Sequence, residues 1–277
     1  MKVAVCFSGL CRYDPPTCIE TYKTQFGSFD FFFSTWTERS TDIERQLPDV
    51  SYITTPSPTN HYHPHYPNVA GLDSPLQNVC RERFNKQNPS PDWIKKAEQA
   101  QKTHVKGVNH TMSQEQHRYL KSRTSTNQML GHAFLVSQLP AEYDMIIRAR
   151  YDALVSDRVD FAPLLEYSYQ NQCAVGFSGG IGYNGRKFDR PKYSFNKLTR
   201  IKKKYPPMWI NDLMIFHPRN ILDTDNVKQL HDTSCLLPSE TGWYQVLAHP
   251  TNTYKNIIGG VQVIHLFSPK DYNSPGP

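Results

Sequence analysis

The chain has 277 residues, a formal net charge of +6, 38% hydrophobic and 12% aromatic residues, and a mean hydropathy of −0.61. That is room for one large α/β domain or two small ones, and the aromatic content argues against a disordered chain. The charge suits an anionic ligand but is too mild and too dispersed for nucleic acid, and no stretch nears the roughly eighteen apolar residues of a membrane span.

Lys2–Ser8 reads as a strand, followed by the turn Ser8-Gly9-Leu10-Cys11-Arg12. Its small residues let backbone N–H groups approach a ligand, and Arg12 adds a fixed positive charge. It is neither a Walker A loop nor a G-x-G-x-x-G loop. Pro15-Pro16 opens a helix over Thr17–Phe26, with Ile19, Tyr22 and Phe26 on one face. Phe29–Thr35 is a second strand ending at Trp36, which makes a right-handed β-α-β start with parallel strands. Ser34, Thr35 and Trp36 fall where such a unit makes ribose or base contacts, or else cap a turn over a buried Trp36.

The character changes over residues 48–110, which are rich in proline and poor in apolar clusters. This reads as a long polar insertion into a single domain spanning residues 1–277, with one helix near Pro91–Lys102. The run containing His61, His63 and His65 is broken by Pro64 and Pro67 and reads as a polar loop. Gln114–Leu139 is the strongest helix by its apolar spacing, and Pro140 ends it.

Tyr143–Asp152 is the most informative stretch. Met145-Ile146-Ile147 reads as a buried strand that runs into Arg148, Arg150 and Asp152. On an extended chain these three share one face. Two guanidiniums and a carboxylate at a strand's carboxyl end suit a metal-bound phosphate; a plain edge ion pair is the alternative. Asp152 then implies Mg²⁺ or Mn²⁺, hard cations that take oxygen ligands.

Cys173–Phe177 is another strand, leading into a glycine-rich loop and a basic run over residues 186–204. Met208–Phe216 reads as a turn and strand. It carries Asn211-Asp212, where Asp212 is a candidate general base or an Asx turn. Helices follow over Asp223–His231 and Glu240–Leu247, the second opened by Glu240. A last strand, Ile257–Phe267, carries His265, a core histidine or a metal ligand. The six cysteines, Cys6, Cys11, Cys18, Cys80, Cys173 and Cys235, form no C-x-x-C pair, which fits a reducing compartment.

The ordered set of a strand with S-G-L-x-R, then F-S-T-W at 33–36, Y-D-x-I-I-R-x-R-x-D at 143–152 and N-D at 211–212, then a late Glu-containing helix, resembles one enzyme group. These are nucleotide-sugar glycosyltransferases of the GT-A type, from bacterial surface-polysaccharide loci and from large viruses and phages. The resemblance covers most of the core but not residues 48–110. It implies a Rossmann-like α/β fold with a mostly parallel central sheet flanked by helices. It also implies transfer of a sugar from a nucleoside-diphosphate sugar to a glycan hydroxyl, in the cytoplasm, or the host cytoplasm for a virus.

By position, Ser8, Gly9, Leu10, Arg12, Thr35 and Trp36 would face the nucleotide, with Arg148 on the diphosphate. Asp152 would hold the cation, with His265 as second ligand, and Asp212 would be the base in an inverting enzyme. The family's Asp-x-Asp motif stands here as Arg150-x-Asp152, so Arg150 would take over part of the cation's role. Two other classes remain: a non-catalytic glycan-binding module on a decayed transferase, and a nucleotide-hydrolysing α/β enzyme using the Ser8-Gly9 loop.

Overall fold

The computed structural model describes residues 1–11, 13–56, 127–179, 210–232, 239–248, 251 and 253–263. The strands are β1 (Val3–Phe7), β2 (Asp30–Trp36), β3 (Ile53–Thr55), β4 (Met145–Ala149), β5 (Ala153–Val155), β6 (Ala174–Gly179), β7 (Met214–Pro218) and β8 (Tyr254–Val263). The helices are α1 (Pro15–Phe26), α2 (Ser40–Gln46), α3 over residues 127–138, α4 (Ala162–Gln170), α5 (Thr224–Asp232) and α6 (Ser239–Leu247).

The strands form one sheet in the order β3-β2-β1-β4-β7-β6-β8-β5. Four of its seven pairings are parallel and three antiparallel, the latter being β4–β7, β6–β7 and β5–β8. The fold is therefore the expected α/β sheet flanked by helices, more mixed than a purely parallel one.

α1 starts as its sequence dictates. The Asp14 carboxylate accepts from the Thr17 N–H, and Pro15 and Pro16 fill positions whose N–H groups would have no helical partner. Cys18, Ile19, Tyr22 and Phe26 form its buried face.

Period-two alternation then divides the interior. Val3, Val5 and Phe7 of β1, Met145, Ile147 and Ala149 of β4, and Met214 and Phe216 of β7 join one core with α1 and α4. Ala4, Cys6, Ile146 and Ile215 face the other way, against α3, α5 and α6. Cys6, Cys11, Cys18 and Cys173 are buried free thiols. Burial pushes the Cys11 thiol up to about 12, so these cysteines pack as small hydrophobes rather than react.

Three elements depart from the sequence reading. β3 pairs with β2 through Ser34–Ile53 to Trp36–Thr55, so the sheet continues past Pro48 into the expected insertion. β5 was not anticipated, because three residues carry no usable period. β8 begins at Tyr254 and lies between β6 and β5: Tyr254–Ile258 and, after an irregularity, Val261 pair with β6, while Val261–Val263 pair with β5 on the other side. Gly259 and Gly260 make that irregularity with φ of 98° and 78°, a backbone that side chains disfavour. Residues 57–126, with the expected helix near Pro91 and the first half of the Gln114–Leu139 helix, lie outside the described residues. So do the glycine-rich loop beyond Gly179 and the basic run.

Candidate active site

The carboxyl ends of β1, β2 and β4 lie side by side at one edge of the sheet. β7 runs antiparallel to β4, with Arg148 opposite Ile215, so its entry turn brings Asp212 to the same edge. The sheet thus gathers Ser8, Gly9, Thr35, Trp36, Arg148, Arg150, Asp152 and Asp212 at one end. Arg12 and His265 lie outside the described residues.

The β1 turn depends on Gly9. Its φ is +104°, and a Cβ there would meet nothing within 4 Å, so backbone conformation rather than space demands glycine. The Gly9 carbonyl accepts from the Thr35 hydroxyl at 3.0 Å. Thr35 therefore ties the ends of β1 and β2 together. Ser8 and Leu10 on either side are half-buried. Trp36 is 8% exposed, and a Cβ at Gly131 of α3 would lie 3.1 Å from its ring. Trp36 is thus packed under a helix that comes close because Gly131 lacks a side chain.

The shared face expected for Arg148, Arg150 and Asp152 is not what forms. β4 stops at Ala149, and Ala153 donates back to the Arg150 carbonyl at 3.4 Å, closing a turn. The cause is Tyr151, which is 1% exposed. Its hydroxyl lies 3.0 Å from the Ser34 carbonyl and 3.4 Å from that of Phe7. Drawing this ring into the core bends the chain, so the arginines separate.

Arg150 turns onto Asp152 in a two-point pair, Nε to Oδ1 at 2.7 Å and Nη2 to Oδ2 at 2.9 Å. The side chains are 17% and 7% exposed. Burial alone would lower the Arg150 pKa, but the charge and hydrogen bonds of Asp152 outweigh it and the net shift is upward. Asp212 acts on Arg150 in the same direction.

Arg148 points into the second core. It donates from Nη1 to the Asp212 carbonyl and from Nη2 to Gln128 Oε1 at 2.9 Å. Its guanidinium carbon lies 4.6 Å from the centre of a Trp243 ring. Burial lowers its pKa to about 10, which still leaves it charged at neutral pH. The sequence reading gave Arg148 to the diphosphate; in the fold both terminal nitrogens are committed inward and the residue is 2% exposed.

Asp212 is half-buried and accepts from Ser239 Oγ at Oδ2, 2.5 Å away. The Ile210 N–H donates to the Glu240 carbonyl at 3.0 Å, which fixes the start of α6 beside this turn. Asn211 is fixed by the Asn256 side chain at 2.8 Å and by the Ile257 carbonyl at 3.1 Å. Sequence reasoning missed Tyr151, Gln128, Ser239 and Trp243. The usable signal was Ser239 and Trp243 four residues apart, on one face of the helix that Glu240 announced.

Among the described residues, no group of three or more His, Cys, Asp and Glu side chains converges as a metal site. Asp152 supplies one carboxylate, and both its oxygens accept from Arg150. The described residues therefore do not complete the expected divalent-cation site, and no chemical step below runs through a cation. A hollow of about 590 Å³ lies at the opposite edge of the sheet, by Tyr143, Tyr169 and Arg219. Arg219 is spent there on the carbonyls of Val136, Leu139 and Pro140, closing the end of α3.

No protein-family model matches this chain, and no curated protein does. Solved structures similar to it include the galactosyltransferase LgtC in complex with donor and acceptor sugar analogues, at 9% identity and a TM-score of 0.38, over 92% of this chain and 72% of that one. A glycosyltransferase involved in glycosylating the major capsid of PBCV-1 gives 9% identity and 0.39, over 98% and 97%. Core-mannan synthase A from Aspergillus fumigatus, in a Mn/GDP form, gives 11% and 0.41, over 96% and 75%. At these values the likeness does not bear on the reaction. Among the described residues, no helix is long and apolar enough to cross a membrane.

Proposed function

We propose that this chain is a glycosyltransferase that moves a sugar from a nucleoside-diphosphate sugar to a hydroxyl of a glycan acceptor. One observation carries the reading: the Arg150–Asp152 pair and Asp212 stand at the sheet edge formed by the carboxyl ends of β1, β2 and β4. Ligands of open α/β sheets bind outside such strand ends.

In this reading the Ser8–Gly9–Leu10 turn lays its backbone against the nucleotide, with Arg12 adjoining it. Arg150, held in one rotamer by Asp152, stabilises the negative charge that grows on the departing diphosphate. A fixed charge in a partly dehydrated site needs no reorganisation at the moment of reaction. The partly exposed Asp212 takes the proton of the acceptor hydroxyl as it attacks the anomeric carbon, which is the arrangement of an inverting transfer. Thr35 and Trp36 hold the edge rather than the ligand. A divalent cation on the diphosphate, with Asp152 and His265 as its ligands, would require Asp152 to loosen its two-point pair with Arg150.

The test is release of nucleoside diphosphate from a panel of UDP- and GDP-sugars, with glycan acceptors, Mn²⁺ or Mg²⁺. The Asp152→Ala chain, with unchanged circular dichroism, loses turnover by at least about 100-fold, because Arg150 is no longer held. Wild-type turnover in that variant overturns the site assignment. Glycan binding without turnover of any donor supports the decayed-transferase reading instead.

A further inference from the structure

Asp212 is gripped from two sides by elements far apart in sequence. Its carboxylate accepts from the Ser239 hydroxyl, and its carbonyl accepts from Arg148. Ser239 and Trp243 are four residues apart on α6, so both face the same way. Trp243 carries the Arg148 guanidinium over its ring at 4.6 Å. One face of α6 thus reaches Asp212 directly through Ser239 and indirectly through Trp243 and Arg148. Gln128 completes the grip by accepting from the other terminal nitrogen of Arg148 at 2.9 Å.

A carboxylate that only caps a turn needs none of this. The Asp212 turn is already closed, because Asn211 is anchored by Asn256 and Ile257 and the Leu213 N–H donates to the Phe177 carbonyl at 3.0 Å. The Ser239 contact adds nothing to the backbone path. It fixes which way the carboxylate faces, leaving Oδ1 with the direction that Oδ2 does not use. Burying the Arg148 guanidinium is unfavourable, and the nearby Asp212 and Asp152 charges offset part of that, so Arg148 is bound to Asp212 by charge as well as by the carbonyl contact.

We propose that Ser239 and Arg148 are positioning residues that hold Asp212 in the orientation needed to take a proton from the acceptor. This rests on the reading of Asp212 as the base. Ser239 aims the carboxylate, and Arg148, carried on Trp243, sets the height of the main chain beneath it. Neither touches the substrate.

The experiment compares Ser239→Ala, Ser239→Thr, Arg148→Lys and Asp212→Asn in the full chain, with the donor panel above. Ser239→Ala lowers kcat about 10- to 100-fold with KM unchanged, as expected for a misaimed base. Threonine keeps the hydroxyl and restores most of the rate. Arg148→Lys, which cannot reach Gln128 and the Asp212 carbonyl together, lowers kcat in the same way. An inactive Asp212→Asn beside a Ser239→Ala chain with wild-type kcat overturns the positioning role and leaves the transferase reading standing. A fully active Asp212→Asn overturns both. Should no donor turn over, the side-chain carboxyl carbon resonance of Asp212, assigned through Asp212→Asn, decides. It moves in Ser239→Ala and not in Ser239→Thr if Ser239 orients the carboxylate, and an unmoved resonance refutes the proposal.

Discussion

The two faces of the sheet are built on different principles. The face covered by α1 and α4 is apolar and aromatic. Phe7, Tyr22, Phe26, Phe161, Phe177 and Phe216 meet edge-on or tilted at centroid distances of 4.8 to 6.1 Å. The face covered by α3, α5 and α6 buries Arg148, His132, His217, Asn226 and Gln245 among its aliphatic residues. Burying polar groups costs stability unless each finds a partner. The first face is held by packing, which forgives small shape changes. The second also packs aliphatic residues, but directed bonds of Arg148, His132 and Asn226 run through it, and it is the face that touches Asp212.

The histidine pair shows how specific the second face is. His217 Nδ1 lies 2.8 Å from the Pro218 carbonyl, so it carries the proton and donates. His217 Nε2 is then an acceptor, and His132 Nε2 donates to it at 2.9 Å. That leaves His132 Nδ1 as an acceptor with no partner among the described residues. Both rings are neutral in this arrangement. Burial lowers both pKa values, His217 to about 4, and Arg148 adds to the effect.

The contrast can be broken experimentally at three places. The largest effect is expected on the aromatic face: Phe216→Ala costs about 4 kcal/mol of unfolding free energy in urea, equally at pH 7.5 and pH 5.5. A loss below about 1 kcal/mol there would mean that packing does not carry that face.

The next is acid sensitivity of the polar face. The folded pKa of His217 is about 4 against an ordinary 6.5, so between these values the unfolded chain binds the extra proton. Stability is therefore full above pH 6.5 and falls as pH drops towards 4, by on the order of 3 kcal/mol. His217→Gln makes that slope shallower, leaving the part due to the buried His132, while lowering stability at neutral pH. Urea titrations across this range, showing the same slope in both chains, would remove His217 from the account.

The smallest is Trp243→Phe. It weakens the ring contact with Arg148 but also removes an indole N–H that has no partner among the described residues. The two effects oppose, so the net change is about 1 kcal/mol or less. A loss as large as that of Phe216→Ala would make the second face a packing face after all.

The main elements of both faces were legible in the sequence, including the helices over Asp223–His231 and Glu240–Leu247, but the polar contacts of the second face were not. Ile19, Tyr22 and Phe26 declared the buried stripe of α1, and Met145-Ile146-Ile147 declared β4, because periodicity reports burial directly. The Ser8-Gly9 turn, the end of β2, Asp152 and Asp212 were placed at the sheet edge by counting strands. The directions of Arg148 and Arg150 were not legible. They depend on where β4 ends, and that is set by Tyr151 reaching residues more than a hundred positions earlier. Ser239 gave no signal of its own, since a serine opening a helix reads as an ordinary first-turn residue. β3 and β5 were lost to brevity. Each is three residues long, too short to show a period.

The Tyr151 hydroxyl has a kinetic meaning as well. It joins carbonyls separated from it by 117 and 144 positions, and it can do so only after β1, β2 and β4 have all paired. Contacts between such distant segments form late, once the entropy of closing the loops has been met. The edge that carries Arg150, Asp152 and Asp212 is therefore among the last parts of the molecule to be completed. In a refolding chain the Tyr151 ring is expected to be buried no earlier than β1 pairs with β4.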